Sequence, residues 1–463
     1  MAGVTARPRG RRRVVVVGGG ISGLVAARDL AGRCDVTVLE AAGSLGGVLR
    51  RADVGGLTVD LGAESMLARR PEGTTLAREL GLPLVHPATT TASLATATGL
   101  HPLPAGTLMG VPRTAESVHD LLDPVALERV RTEPERPAAP LEHDVSVADY
   151  VADRVGQEVV DRLVEPLLGG VYAGHAHRLS LQATVPALWE LARRGGSLLT
   201  GLGPAPAATT APVFAGVDGG LARLPLALAD DLRARGAVVR TATPVRALHR
   251  TATGWRVEPA GSSGREVLEA DAVVLAVPAP AAARLLAAEV PAAAAELADV
   301  ETASMVIAAL AVPAADLDGL TGSGVLVPPV VGAGRGLRVK ALTLSGRKWD
   351  WVGAQSGELA VLRVSLGRAR DTEALRADDA DVLGWATQDA SALLGRQLHP
   401  VDHAVVRWVD GLPQYAVGHL DRVARLRAAV AAAGGLAVCG SVLDGVGVPA
   451  CVAAARRAAA EVG

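Results

Sequence analysis

An α/β protein built on a parallel sheet is what this sequence predicts, and three observations predict it. Residues 14–17 are an unbroken valine run, glycines follow, and residues 24–32 (LVAARDLAG) space their apolar side chains as a helix does. Residues 35–39 form a second strand-like run, completing a strand–turn–helix–strand unit. The pattern returns at ADAVVLAVP in mid-chain and again at the end, where LAVCG, a Gly-rich loop and VPACVAAARRAAAEV read as strand, loop and helix. One nucleotide-type unit assembled from separated segments is the simplest account.

Between these pieces the chain reads in order as follows. Residues 132–143 and 201–212 are Pro/Ala stretches with the composition of loops or linkers. Residues 145–168 read as a helix with Ser146 as its N-cap. VDGGLARLPLALADDLRARG reads as turn then helix, and AVVRTATPVRALHR with GWRVEP as a strand pair. The Ala/Pro-rich residues 279–298 read as a surface helix. Residues 301–365 alternate strand-like runs with Gly/Pro turns, as an antiparallel sheet does.

Composition bounds the function. With 463 residues, 49% hydrophobic and 20% charged, the chain supports about three domains and is not intrinsically disordered. Forty-six basic residues against 48 acidic leave no electrostatic footprint for nucleic acid. One Phe, three Tyr and six Trp are too few for a base-stacking platform. Cys34, Cys439 and Cys451 show no metal-ligand spacing, so no zinc or iron–sulfur site is expected and reduced thiols are the plain reading. Only Lys340 and Lys348 are lysines, which reads as a GC-rich coding bias. Arg9, Arg11, Arg12 and Arg13 before an apolar run mimic a signal peptide. The glycines within that run and Asp29 just after it argue instead for a disordered tail on a soluble protein.

Gly18, Gly20 and Gly23 form GxGxxG between a strand and a helix. The spacing gives a tight turn, close approach to a pyrophosphate, and close packing of helix on strand. The helix N-terminus offers free N–H groups to phosphates. Glu40, ending the second strand, suits a ribose diol. Leu45-Gly46-Gly47 and Arg50 then suit a longer ligand lying extended through the protein.

With that element the sequence resembles the amine-oxidase-like FAD superfamily, as it does at GGLARLPLALADDL with Val245 beyond it and at the C-terminal GVGVP. LGAESMLARRPE, GLHPLPAGTLMGVP, VVDRLVEPLLGGVYAG, LSLQATVP and RWVDGLPQYAVGHLDRV narrow the resemblance to the bacterial HemY-type oxygen-dependent porphyrinogen oxidases of haem synthesis. The chain departs from that family at His175 and Ala450, where Asp is usual. It also departs at Val442 and Leu443, where an aromatic is common and a pocket edge is expected.

The resemblance implies FAD as cofactor, held by Gly18, Gly19, Gly20, Ile21, Ser22, Gly23, Glu40, Ala41, Gly46, Gly47, Val48, Arg50, Gly62, Ala63, Glu64, Ser65, Val245, Trp408, Gly440, Val446, Gly447 and Val448. Glu64 is expected to meet the flavin through its backbone. Pro449 suits the first turn of a helix under the flavin pyrimidine. Arg69 and Arg70, with Tyr172 and Tyr415, are the candidates for substrate contact, the arginines because propionates need cations. A core role for the tyrosines stays open. His101, His175, His177 and His419 read as solvated or capping residues. No catalytic base is assigned, because hydride leaving a porphyrinogen bridge carbon yields a delocalised cation.

The implied domains are a FAD-binding Rossmann-like domain (residues 1–60, 211–280 and 430–463) and a mixed-sheet substrate domain (61–100 and 281–429). The third is an inserted helical, membrane-binding-like domain (101–210). The implied reaction is oxidation of coproporphyrinogen III to coproporphyrin III, with O2 as acceptor and H2O2 as product. Protoporphyrinogen IX is the alternative substrate; an amine oxidase, a carotenoid desaturase and a non-catalytic porphyrin-binding flavoprotein are more remote readings. A cytoplasmic location, peripheral contact with the inner face of the membrane and transfer to ferrochelatase complete the expectation.

Overall fold

Five short strands, each rich in small or β-branched residues, lie parallel in the order Val238–Arg240, Cys34–Leu39, Arg12–Val17, Ala272–Leu275, Leu436–Val438. The structure is a computed structural model and describes residues 10–204, 211–260 and 266–463. Strand alternation sorts the valines between two layers. Val14, Val16, Val36 and Val38 face the helices Ile21–Ala31, Arg223–Ala234 and Val448–Val462. Val15, Val17, Val273 and Leu275 face Ala279–Leu286, Pro291–Ala298 and His419–Ala433. Both faces are covered, as a parallel sheet requires.

Three expectations change here. The predicted strand pair splits: Val238–Arg240 joins the parallel sheet, and Val245–Arg250 alone pairs with Trp255–Pro259. Residues 279–298 make two helices, because Pro291 starts a new one, and Ala282, Leu286, Ala293 and Leu297 are buried. Arg12 and Arg13 belong to the first strand, with the Arg13 N–H donating to Asp271 at 2.7 Å, so they are not tail. Arg9 lies outside the described residues.

A seven-stranded mixed sheet follows the order Asp402–Pro413, Thr302–Pro313, Leu359–Leu366, Val339–Leu344, Gly324–Leu326, Ser93–Ala95, Leu100–Pro102. Its only parallel pairing among the described residues joins Gly324–Leu326 to Ser93–Ala95. Val306, Ala308, Leu310, Leu362 and Val364 pack on the helix Asp379–Leu394. Ile307, Ala309, Ala311 and Val361 turn the other way, onto the hairpin Arg51–Val54/Leu57–Asp60 and Trp349.

The helix predicted over 145–168 is interrupted. Ser146 accepts the Asp149 N–H at 3.0 Å, but the helix stops at Val155 and Gly156 takes φ +101°. A π-helical turn, Val160–Val164, precedes Glu165–Tyr172, because Pro166 has no N–H to return to the Arg162 carbonyl.

The stretch 132–143 is not a solvated linker. Glu133 is fully buried and accepts from Arg154 Nε (2.8 Å), Ser197 Oγ (2.6 Å), Leu198 N (2.7 Å) and Leu199 N (3.1 Å). Of the second stretch, residues 205–210 lie outside the described residues. Ser197 also caps the helix Leu198–Leu202 by accepting the Thr200 N–H. Ser197→Ala is therefore expected to destabilise the fold by about 1–2 kcal/mol, read as a lower denaturant midpoint at unchanged slope.

Candidate functional site

The carboxyl ends of the parallel strands carry the cleft, where ligands bind in open α/β sheets. Gly18 turns the chain with φ +110° and donates its N–H to Leu39 O at 2.8 Å. A Cβ there would meet Ala276 O at 2.3 Å, and one on Gly23 would meet Gly18 O at 1.9 Å. These two glycines let helix, strand and turn touch. Gly20 is different: a Cβ on it would meet nothing within 4 Å, so its open face borders the cleft. Ile21 and Ser22 are buried in the first turn behind it. Gly46 docks on this loop by donating to Gly19 O at 2.8 Å, and a Cβ on Gly47 would meet only Gly20 Cα, at 3.5 Å.

Glu40 shapes the same loop. Its Oε2 accepts from Gly19 N at 2.6 Å and its Oε1 from Ala42 N at 2.7 Å, past Ala41. Each carboxylate oxygen keeps a further lone pair for a ribose hydroxyl. Thr243 N donates to Glu40 O and Ala242 N to Ala42 O, both at 2.8 Å, which brings the segment leading to Val245 alongside.

Two helices begin in the cleft without side-chain caps: Ile21–Ala31 after Gly20, and Val448–Val462 after Gly447, with Pro449 in its first turn. Their first-turn N–H groups are free for anionic or polar ligand groups. Val446 precedes the second helix, and Gly440 (φ +122°) leaves open space beside it. Val442 and Leu443 are 4% and 3% exposed, core residues and not a pocket edge.

The strand-end segment Gly62 to Ser65 is tied to the glycine loop. Ala63 N donates to Val48 O at 3.3 Å, and a Cβ on Gly62 would fall 1.7 Å from that same oxygen. Trp408 Nε1 donates to Leu61 O at 2.9 Å, with the Arg50 guanidinium 5.4 Å from its ring centroid.

Glu64 does more than present backbone. Its carboxylate bridges Lys348 Nζ at 2.5 Å and Arg363 Nη1 at 2.6 Å, while Arg363 Nη2 donates to Gly62 O at 2.8 Å. Burial pushes its pKa up, but the two cations overrule burial and hold it down to about 2. The cluster carries a net charge of +1 beside the cleft. Lys348 and Arg363 were not anticipated. The sequence did mark one of them: in a chain of forty-four arginines, Lys348 is one of two lysines.

Arg70 stands at the start of the helix Pro71–Glu79 and pairs with Glu72 at 2.7 Å; Arg69 is exposed. A Cβ on Gly73, in the same helix, would contact Pro449 and Val448, so this helix adjoins the C-terminal edge of the cleft. Tyr172 and Tyr415 pack together, ring centroids 5.8 Å apart. Tyr415 is 1% exposed, gives its hydroxyl to Ser441 O and stacks on His419 at 3.8 Å, so it presents no surface to a ligand. His419 is itself 2% exposed, a buried residue and not a solvated one; burial pushes its pKa down to about 4. His175 holds Glu165 at 2.8 Å.

A parallel sheet covered by helices on both faces, an open glycine cleft and two uncapped helix ends define a dinucleotide-binding protein. Residues 21–463 match the model of flavin-containing amine oxidoreductases, and the chain belongs to that family; its cofactor is FAD. Coproporphyrinogen III oxidase of Mycobacterium tuberculosis is 42% identical, with 97% of each chain covered. Protoporphyrinogen oxidase of Macaca fascicularis is 30% identical over 97% of this chain and 98% of its own. A crystal structure from Exiguobacterium sp. 255-15, provisionally assigned as a protoporphyrinogen oxidase, superposes with a TM-score of 0.85 at 31% identity, covering 97% and 98% of the two chains.

Proposed function

We propose that this chain oxidises coproporphyrinogen III to coproporphyrin III in haem synthesis. The observation that carries this reading is the 42% identity to a coproporphyrinogen III oxidase along 97% of both chains. The cleft agrees with it. Gly20, Gly47 and Gly440 leave room for an extended dinucleotide, which supports the cofactor contacts named above as part of this proposal. Bound FAD supplies a two-electron acceptor for hydride from a saturated bridge carbon. Three such oxidations remove six electrons and six protons, and O2 is the terminal acceptor, leaving as H2O2.

The chain's own share is positioning and electrostatics. The free N–H groups after Gly447 stabilise negative charge, and the Glu64–Lys348–Arg363 cluster adds a fixed positive one. Pyrrole N–H protons become acidic once hydride has left, so no strong base is required. Arg70, whose helix adjoins the cleft, would exchange Glu72 for a propionate. Arg70→Ala is expected to raise KM about tenfold, the worth of one charge-assisted hydrogen bond, with flavin content unchanged. A steady-state comparison of the two proteins checks it.

Of the domain division given above, residues 101–210 as the membrane-facing part belong to this proposal, whereas the helices Pro291–Ala298 and His419–Ala433 pack on the parallel sheet and go with the flavin domain. Among the described residues no helix is long and apolar enough to cross a membrane. A cytoplasmic location and transfer to ferrochelatase rest on the family resemblance. The deciding experiment mixes the oxidised holoenzyme anaerobically with each porphyrinogen. Rapid bleaching by coproporphyrinogen III, slower bleaching by protoporphyrinogen IX and recovery in air are expected; equal or inverted rates would overturn the substrate assignment.

A further inference from the structure

Lys340 is 6% exposed, and among the described residues its Nζ has no hydrogen-bond or ion-pair partner. It lines a cavity of about 290 Å³ with Arg368, Arg338, Val327, Pro328 and Gly332. Arg368 donates Nη2 to Val327 O at 3.0 Å, while its buried Nη1 has no acceptor. The glycine of LVEPLLGGVYAG at 169 allows this: a Cβ there would lie 2.0 Å from Arg368 Nη1. The other charges around the cavity have neighbours of their own, although Asp371 lies near enough to offset Lys340 and Arg368 in part. Arg338 Nε pairs with Glu373 at 3.3 Å, Asp371 accepts the Glu373 N–H at 3.1 Å, and Glu165 is held by His175 and Ala176 N. Lys340 Nζ and Arg368 Nη1 thus point polar hydrogens into the cavity without a direct acceptor, an arrangement that costs stability unless an anion visits.

Composition points the same way. The surface of this protein uses arginine almost exclusively, yet an ammonium is kept at position 340. Lysine offers a compact point charge that tolerates burial by shedding its proton, which arginine does not. Burial, with Arg368 nearby, pushes Lys340 down to about 7, so an arriving anion restores its charge.

We propose that this cavity is a carboxylate pocket in which Lys340 and Arg368 grip one propionate arm of the tetrapyrrole. The proposal rests on the function proposed above. The volume suits an arm and excludes the macrocycle. Arg363 lies in the strand Leu359–Leu366 and Arg368 two residues past its end, after Gly367 turns the chain with φ +85°, so their Cα atoms are at most about 17 Å apart, within the breadth of a porphyrinogen. A ring reaching from the Glu64 cluster could therefore place an arm between the two cations.

The test measures binding of coproporphyrin III to oxidised holoenzyme by porphyrin fluorescence, in the parent, Lys340→Met and Arg368→Met, with flavin content and thermal midpoint recorded. Coproporphyrin III tetramethyl ester and free succinate are the other two ligands. The expected result is at least tenfold weaker binding of the tetra-acid by Lys340→Met, at full flavin content and an equal or higher midpoint. The ester should bind equally weakly to parent and variant, and succinate should not compete. Parent-like affinity for the tetra-acid in both variants would overturn the proposal. So would succinate protection that Lys340→Met abolishes while tetra-acid binding stays intact, since the pocket would then serve a free carboxylate. A parent enzyme that oxidises no coproporphyrinogen III yet shows the Lys340-dependent preference for acid over ester would sink the function proposed above and leave the carboxylate pocket standing.

Discussion

Purified Gly23→Ala protein is expected to be colourless, with less than a tenth of the parent's flavin and no recovery on adding FAD. The new methyl would sit 1.9 Å from Gly18 O, backbone against backbone, where no rotamer change relieves it. The helix Ile21–Ala31 must lift from the strand Arg12–Val17, carrying its free N–H groups and Gly20 away from the cleft. Two companion substitutions separate ligand loss from misfolding. Gly43→Ala adds a methyl with nothing within 4 Å, on the exposed loop after Glu40, and should keep its flavin. Gly20→Ala is equally free of protein contacts but lies on the open side of the turn, so flavin loss there reports a methyl intruding on the pyrophosphate. Absorbance per mole of protein, with far-ultraviolet dichroism as the folding check, reads all three. A fully yellow Gly23→Ala would mean that the glycine spacing does not build the site.

How much of this was legible in the sequence follows from the range of the forces involved. Valines 14–17 announce a buried strand and glycines 18–23 a tight turn because each is fixed by its immediate neighbours. Gly447 and Pro449 likewise mark a helix start locally. Glu133 looked like one more charge in a Pro/Ala linker. Its burial depends on Arg154 and Ser197, residues that only the folded chain brings to it. The helix from residue 145 read as continuous because apolar periodicity persists through Gly156, whose positive φ is set by packing against Arg129. His419 appeared solvated because its partners, Tyr415 and Leu443 O, are one tertiary contact away. Lys340 and Lys348 were visible as oddities of composition. Coding bias explains why the surface is arginine, but it does not explain why one exception, Lys340, is buried and the other, Lys348, is paired with Glu64.

The Glu64 cluster is where that difference in range matters most for activity. Arg363→Met is expected to lower stability by about 3–5 kcal/mol, the usual consequence of removing one partner from a buried ion pair, and to slow turnover at least tenfold. Two acceptors lose a bond together: the Glu64 carboxylate keeps only Lys348 and Gly62 O loses its donor, so the segment Gly62 to Ser65 is no longer pinned to the sheet strand Leu359–Leu366. That segment meets the Val48 backbone beside the glycine cleft, so movement there displaces whatever the cleft holds. Charge and packing are separable. Arg363→Met leaves the cluster neutral, and Glu64→Gln/Arg363→Met restores its net charge of +1 without the tether to Gly62 O, so turnover that stays low in the double variant assigns the loss to the tether and turnover that recovers assigns it to charge. Acid behaviour supplies an independent reading. With its folded pKa depressed to about 2, Glu64 contributes stability that is complete well above the unfolded value of 4.5 and is lost as pH falls towards 2. Arg363→Met weakens that depression, so the variant's disadvantage should shrink as the pH is lowered through this window. A disadvantage that stays constant from neutrality to pH 2 would show that the cluster acts through packing alone, and turnover unchanged in Arg363→Met would remove it from the catalytic account.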